Sequence, residues 1–553
     1  MNYWHIQMSK PHGRDGRTYV DPMSMLNLHS PIIGTGEWDD YQCRYFKKNL
    51  AKGSIVCVKH GGKPIALCEV ISECFKDSEL TKEFYNIYYR RVKVLDFYDG
   101  DESFPQPQGT LNRAVTKSTP TYQFIKNWYV KTKRKLEMKD LINILKSKNQ
   151  IILQGPPGTG KTRLAKEIAY QLIFDKQAPT DDEQKVALSS SDQFEIVQFH
   201  ASYSYEDFVR GISVENIDGK VIYETKNRVL GEIAAKANRN YLQSNEDLET
   251  SYQELFLDEA FDEFIGEIAE KIESQGNYQL TDKVSLINVD EDAFRYKGEN
   301  GWNEHGLRMK FLDIKKAFID NNTSRQDIKK NKSLSSQANW HSSYYVRVLN
   351  DFQKYWDENL VENEKKKPQH KVDVKNYVLI IDEINRANLS SVLGELIYAL
   401  EYRGEPVESI YEIKGKGREI ILPENLFIIG TMNTADRSVG HIDYAIRRRF
   451  AFESVLPQDL SGRLESGYAF AKAEFDKVKA LFVKPETDWK RSDHLSEEFD
   501  PKDVCIGHSY FIHKEGEDIS QRVKYEIKPI LEEYIKDGVL KNSDSLRDEL
   551  DSL

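Results

Sequence analysis

No apolar run in this 553-residue sequence approaches the roughly 20 residues that a membrane-spanning helix needs. A helical membrane protein is therefore excluded. Met1 to Met8 show no basic stretch ahead of an apolar core, so no secretory signal is expected. Cysteine is scarce: Cys43, Cys57, Cys68, Cys74 and Cys505 form no C-x-x-C pair, which argues against a zinc knuckle or a redox motif. Reduced, buried thiols in the cytoplasm are the plain expectation. An excess of positive charge is missing as well. The net charge of −11 means that any nucleic-acid contact has to be a local surface. No Asp/Glu-x-Lys cluster stands apart from the motifs described below, so no nuclease centre is expected within the chain.

What is present begins with Gly155-Pro156-Pro157-Gly158-Thr159-Gly160-Lys161-Thr162. It follows the apolar run Ile151-Ile152-Leu153 and opens a helical pattern from Arg163 to Ala169. This is the phosphate loop G-x-x-x-x-G-K-[ST] in its strand–loop–helix context. Glycines let backbone N–H groups curl around phosphates, and the helix N-terminus adds its positive end. Lys161 supplies a charge to the terminal phosphates and Thr162 an oxygen ligand to Mg²⁺. A nucleoside triphosphate is the expected ligand.

A chain of this length predicts roughly three domains, and from 146 to 456 apolar strands alternate with helical patterns, as in an α/β parallel sheet with helices on both faces. The run Tyr377-Val378-Leu379-Ile380-Ile381 ends in Asp382-Glu383, the pattern of a Walker B strand. Asp382 is expected to hold Mg²⁺ through water, and Glu383 to polarise the attacking water. Leu426 to Gly430 reads as a further buried strand leading to Asn433, placed to orient the lytic water or to sense the γ-phosphate. Asp443 to Phe450 then carry Arg447, Arg448 and Arg449. Three arginines ending a short helix suit a finger inserted into a neighbouring subunit's site, with Arg448 and Arg449 as its tip; alone, such a triplet would read as a solvated helix end. Residues 240–370 are polar and helix-leaning with loop-like patches, and read as an insertion. From 457 to 553 helical patterns return (464–482 and 519–540), ending in an acidic tail from Ser543 that is expected to fray.

Residues 1–112 read as short strands with a Gly61-Gly62 hairpin turn between Ser54–Lys59 and Ile65–Val70, and a last strand Tyr88–Leu95. Aromatic and basic residues interleave along them, which suits stacking on an unpaired base; equally, the rings could fill a small β core. Between 113 and 145 a basic linker or helix follows. Across residues 111–150, Arg113, Lys117, Lys126, Lys131, Lys133, Arg134, Lys135, Lys139, Lys146 and Lys148 face only Glu137 and Asp140, and both a nucleic-acid backbone contact and a solvated helix fit.

The order of phosphate loop, Walker B strand, Asn433 and arginines resembles the AAA+ pattern. His200 to Gly211, Asp382 to Asn388, Met432 to Ser438, Arg447 to Phe450 and Ile506 to Phe511 together resemble the McrB family. The resemblance implies a GTP-hydrolysing AAA+ motor with Mg²⁺, a helical lid over the nucleotide and a homo-oligomeric ring, a hexamer. It also implies a separate McrC-like endonuclease subunit as partner and DNA carrying modified bases as target. Glu383, Asn433 and Asp436 are then catalytic positions in the subunit that holds the nucleotide. Asn433-Thr434-Ala435-Asp436 has the spacing of a guanine-reading motif, but its place beside the Walker B strand puts it near the γ-phosphate, so GTP rests on the resemblance alone. The first domain, from Tyr3 to Met8 and Gly53 to the hairpin, is similar to EVE domains of the PUA/YTH-like group, small β-barrel-like readers. That likeness makes Trp4 and Trp38 the expected walls of a base pocket. An ATP-driven remodeller whose first domain binds RNA or protein is the competing expectation.

Overall fold

The computed structural model divides the chain after Asn143. It describes residues 2–8, 21–36, 41–105, 110–176, 178, 180–217, 220–245, 248–290, 292–298, 305–364, 372–413, 417–436, 442–461, 464, 467–485 and 487–553.

The first unit is built on a six-stranded sheet in the order Ile32–Thr35, Tyr88–Phe97, Lys63–Val70, Ile55–His60, Tyr3–Gln7, Leu111–Ala114. Tyr3–Gln7 runs parallel to Ile55–His60, and the other pairs are antiparallel. The hairpin turn is where the sequence places it: His60 pairs with Lys63 across Gly61-Gly62, and Gly61 has φ +60°. One sheet face buries Trp4, Ile6, Val56, Val58, Ala66 and Cys68 beneath the short helices of this unit. The edge strands Ile32–Thr35 and Leu111–Ala114 were not expected, being only 4 residues long each.

The basic stretch is no extended linker. Pro120–Lys148 is one 29-residue helix, started by a proline where the missing N–H costs nothing. Its first half is anchored in the first unit. Ile125 and Trp128 bury against Tyr3, Ile55, Cys57 and Leu67. The Trp128 indole N–H donates to Asp96 Oδ2 at 2.9 Å, and Thr132 Oγ1 to the same oxygen at 3.1 Å.

The second unit holds a five-stranded parallel sheet in the order Ala451–Ser454, Gln150–Gly155, Leu426–Asn433, Tyr377–Asp382, Phe194–Gln198. Counted along the chain, that is fifth, first, fourth, third, second. The strands read as continuous apolar runs because both faces are covered. Tyr377, Leu379 and Ile381 join the cluster of Leu230, Ile233 and Ala234 from the helix Val229–Asn245. Their neighbours Val378 and Ile380, also buried, face the other way, the side on which the helix Lys161–Phe174 packs against these strands. Register places Asn433 level with Gly155, and Asp382 one residue past the pair Ile381–Gly430. Three strand ends thus meet at one carboxyl edge, where ligands of open α/β sheets bind.

Between the strands at 194–198 and 377–382 the chain builds a body with its own core. It comprises the helix Leu248–Gln275, an antiparallel four-stranded meander (Tyr278–Thr281, Val284–Val289, Ala293–Gly298, Leu307–Lys310) and helices from Phe311 to Glu364. Phe261, Phe264, Phe294, Tyr296 and Phe352 form its aromatic centre. The meander departs from the helix-leaning expectation.

After the sheet come the helices Lys472–Ala480, Pro501–Val504, Lys528–Lys536 and Asp544–Asp551 around Phe475, Phe482, Phe511 and Leu531. Two expectations are corrected here. Residues 468–470 are a strand paired with Ile512–Lys514. The acidic tail is a helix capped by Ser543, whose Oγ accepts from the Leu546 N–H at 3.2 Å, and it buries Leu546 and Leu550. No helix among the described residues is long and apolar enough to cross a membrane. All five cysteines are free, and burial pushes the Cys57 and Cys68 thiols far above their ordinary range.

Candidate functional site at the carboxyl edge of the parallel sheet

The phosphate loop turns through backbone that only glycine adopts without strain: Gly158 has φ +76° and Gly160 φ +79°. Lys161 and Thr162 then begin the helix Lys161–Phe174. The Lys161 ammonium donates to Gly155 O at 3.0 Å, Pro156 O at 2.8 Å and Asn433 Oδ1 at 2.9 Å. Its three protons are thereby matched by three protein oxygens. Burial pushes this ammonium down to about 8, against the pull of Glu383 and Asp382.

Thr162 Oγ1 donates to Asp382 Oδ1 at 2.7 Å, and Thr431 Oγ1 donates to the same oxygen at 2.6 Å. A hydroxyl and a carboxylate at this spacing are a donor set that fits Mg²⁺, a hard cation that takes oxygen ligands. Glu383 has φ +54°, uncommon for a residue with a Cβ. Its N–H is held by Thr431 Oγ1 at 3.2 Å. That turn brings Glu383 Oε1 within 3.1 Å of the Asn433 amide donor, while Oε2 meets Arg386 Nε at 3.3 Å. The structure thus gathers Lys161, Thr162, Asp382, Glu383 and Asn433 into one hydrogen-bonded cluster. Asp436 reaches it through Arg386, whose Nη2 lies 3.2 Å from Asp436 Oδ2. The sequence reading missed Thr431 and Arg386. A Thr two residues before Asn433 on the same strand points to the same sheet face, a period-2 signal that could have found it.

The three arginines part company. Arg447 lies over the Phe452 ring at 4.8 Å. The Arg449 side chain, 9% exposed, pairs with Glu401 at 3.0 Å and donates to Ala445 O. Arg448 is 66% exposed, and its contact with Glu401 is longer, at 3.5 Å. Beside it Tyr444 is 90% exposed. Arg448 therefore faces solvent, and Arg449 is folded into its own subunit, contrary to the expectation of a two-arginine tip.

The segment His200 to Gly211 lies against this core as an anchor. Tyr205 Oη contacts Glu395 Oε1 at 2.5 Å and Ser409 Oγ at 2.8 Å. Buried Arg210 donates to Tyr411 O at 3.1 Å and Arg418 O at 3.0 Å, fastening the hairpin of 406–421.

A turn from the C-terminal helical part closes directly on the phosphate loop. The Gly507 N–H donates to Pro157 O and the Ser509 N–H to Gly158 O, both at 2.9 Å. Gly507 is packed so closely that a Cβ there would lie 2.0 Å from the Gly158 carbonyl carbon. A Cβ on Gly158 would in turn meet the Tyr510 ring at 2.5 Å. Glycine at both positions is what lets lid and loop touch, which gives Ile506 to Phe511 a physical reason for its composition.

In the first unit Trp4 is 1% exposed and packs edge-on to Tyr45. Its ring is not open to a stacking base, and the β-core alternative is the one that fits it. Trp38 lies outside the described residues. Basic and aromatic side chains do meet at Tyr88, where Lys47 lies 3.8 Å and Lys76 4.9 Å from the ring centre.

Comparison with known proteins places these features. Residues 317–450 match the AAA domain (dynein-related subfamily), and residues 493–541 match the McrB alpha-helical lid domain. The comparisons support an McrB-like AAA+ chain. Residues 129–246, which include the phosphate loop, match the Novel STAND NTPase 3 family. The inserted body separates that half from the Walker B half, which accords with their matching different families. Over 196 residues, 33% of this chain, it is 37% identical to the Type IV methyl-directed restriction enzyme EcoKMcrB subunit of Escherichia coli (strain K12), covering 41% of that protein. It is also 41% identical over 91 residues, 14% of this chain, to the Type II restriction enzyme BsuMI component YdiS of Bacillus subtilis (strain 168), covering 26% of it. The chain thus matches less than half the length of either relative. An McrB-like AAA+ module implies nucleotide hydrolysis with Mg²⁺. The site described above contains the groups that such a reaction uses.

Proposed function

We propose that this McrB-like chain is the nucleotide-driven subunit of a modification-dependent restriction system. GTP is its fuel, with ATP the alternative, and a separate McrC-like endonuclease does the cutting. The observation that carries the reading is the cluster of Lys161, Thr162, Asp382, Glu383 and Asn433 beneath a McrB-type lid. Lys161 and the loop amides hold the phosphates, Thr162 and Asp382 hold Mg²⁺, Glu383 takes a proton from the attacking water, and Asn433 positions Glu383. Subunits assemble as a ring, a hexamer, so that outward-facing Arg448 reaches the next subunit's nucleotide. The names of both relatives, a restriction-enzyme subunit and a restriction-enzyme component, support the place in a restriction system.

The first unit is the reader of modified DNA in this proposal, an EVE-like domain by its resemblance. The Lys47–Tyr88–Lys76 cluster offers cation and ring side by side, the chemistry of a base-and-phosphate contact. A mobility-shift comparison of duplexes carrying 5-methylcytosine, 5-hydroxymethylcytosine, glucosylated hydroxymethylcytosine, N6-methyladenine or no modification tests it. One modified duplex is expected to bind at least about tenfold more tightly than the unmodified one, the discrimination of one well-read base. Equal binding to all would remove the reader role.

A further inference from the structure

The body between the second and third strands of the parallel sheet carries a surface that the hydrolytic site does not use. From Ser324 to Trp340 the chain holds four cations, Arg325, Lys329, Lys330 and Lys332, against one acid, Asp327. All four cations are exposed, and none pairs with a carboxylate among the described residues. Asp327 is spent locally: the Ser324 N–H and Oγ each donate to it at 2.8 Å, the Thr323 N–H at 3.2 Å. In a chain of net charge −11, such a local excess of positive charge is not the average surface.

Trp340 ends the next helix and is 86% exposed, against 9% or less for the large aromatic residues of the core beneath it. Its helix, Ser336–Trp340, packs against Arg325–Lys330, the helix that carries three of the cations. With its amide turned so that the nitrogen faces both carbonyls, the neighbouring Asn339 donates to Ile328 O at 2.6 Å and Asn331 O at 3.1 Å, tying this helix to the lysine-bearing turn. The Asn331 side-chain amide and the Ser333 hydroxyl both donate to Asp320 Oδ2 at 2.7 Å, pinning the turn that carries Lys332. A solvent-facing indole on a helix packed beside the cation-bearing one offers a stacking surface next to an electrostatic track.

We infer that this surface binds a nucleic-acid strand, with Arg325, Lys329, Lys330 and Lys332 on phosphates and Trp340 stacked on an unpaired base. The inference extends the DNA-handling reading above to a second contact, remote from the first unit in sequence.

The test uses the full chain and a fluorescent oligothymidylate, with affinity measured across a salt series. Replacing Lys329, Lys330 and Lys332 together by Gln is expected to weaken binding at least about tenfold and to flatten the log–log salt slope by about 2, because each phosphate contact on a single strand contributes about 0.7. Trp340→Ala is expected to cost about tenfold, the scale of one base–aromatic stack, and Trp340→Tyr to restore most of it. Thermal melting and basal triphosphatase activity should stay as in the parent, since these side chains are exposed and lie outside the hydrolytic cluster. Parent-like affinity and slope in the triple variant would overturn the inference, and so would a Trp340→Ala protein that binds as the parent does. If the parent itself shows no salt-dependent oligonucleotide binding, this inference falls, while the reader proposal stands or falls separately on the modified duplexes. If the parent binds and the variants bind equally, only this inference falls.

Discussion

Glu383→Gln is expected to bind nucleotide and assemble like the parent while its turnover falls about 10²- to 10⁴-fold, the contribution of one positioned general base. The geometry makes the substitution clean. Glu383 shares no hydrogen bond with the Thr162–Asp382 pair, so the metal-holding oxygens stay in place. The carboxylate accepts from Asn433 on Oε1 at 3.1 Å and from Arg386 on Oε2 at 3.3 Å; an amide of the same shape keeps one of these two bonds through its single oxygen, since its NH₂ only donates. What it loses is the capacity to take a proton. Stopped turnover with intact affinity for nucleotide is therefore the expected pair of readings. Parent-like turnover would remove Glu383 from the role, whatever its place in the cluster.

The second large effect is expected at Arg448. If this side chain completes a neighbour's site, Arg448→Ala should lose about 10³- to 10⁵-fold in rate, the usual worth of an arginine finger. Mixing Arg448→Ala subunits with Lys161→Ala subunits should then restore part of the activity. In some pairs an intact phosphate loop meets an intact Arg448 across the interface. No recovery at any mixing ratio would contradict action across subunits. Arg449→Ala is the internal control. Its guanidinium is 9% exposed and paired with Glu401 at 3.0 Å, so its loss should lower the melting temperature more than it lowers the rate of the folded fraction.

Much of the hydrolytic site could be read from the sequence because phosphate chemistry dictates residue types at fixed spacing. Gly158, Gly160, Lys161 and Thr162 have few substitutes in a loop that wraps phosphates. Asp382 and Asn433 each end a continuous apolar run that had to be a buried strand. The strand order could not be read that way, since it depends on crossovers between segments up to 179 residues apart, from Gln198 to Tyr377.

Residues whose role arises from tertiary hydrogen bonds were silent. Thr431 and Arg386 look like ordinary polar positions until the chain brings Asp382, Glu383 and Asp436 to them. Pattern also failed where elements are short. The meander of the inserted body uses strands of 4 to 6 residues with two register shifts, too short for a period of 2 to stand out. The acidic tail hid a helix because only Leu546 and Leu550 mark its apolar face. Trp4 shows the opposite failure: the resemblance to EVE domains made it a pocket wall, yet the sheet takes it for the core. Arg448 and Arg449 are adjacent and chemically alike, and only the fold decides which of them turns outward.

The measurement closest to the central claim is triphosphatase activity with GTP and ATP side by side, in the presence and absence of an McrC-like endonuclease subunit. We expect GTP to be preferred and its hydrolysis to rise when the endonuclease is added. ATP preference with no response to that subunit would contradict the restriction-motor reading and leave a nucleotide-driven engine whose task must be found from what its first unit binds.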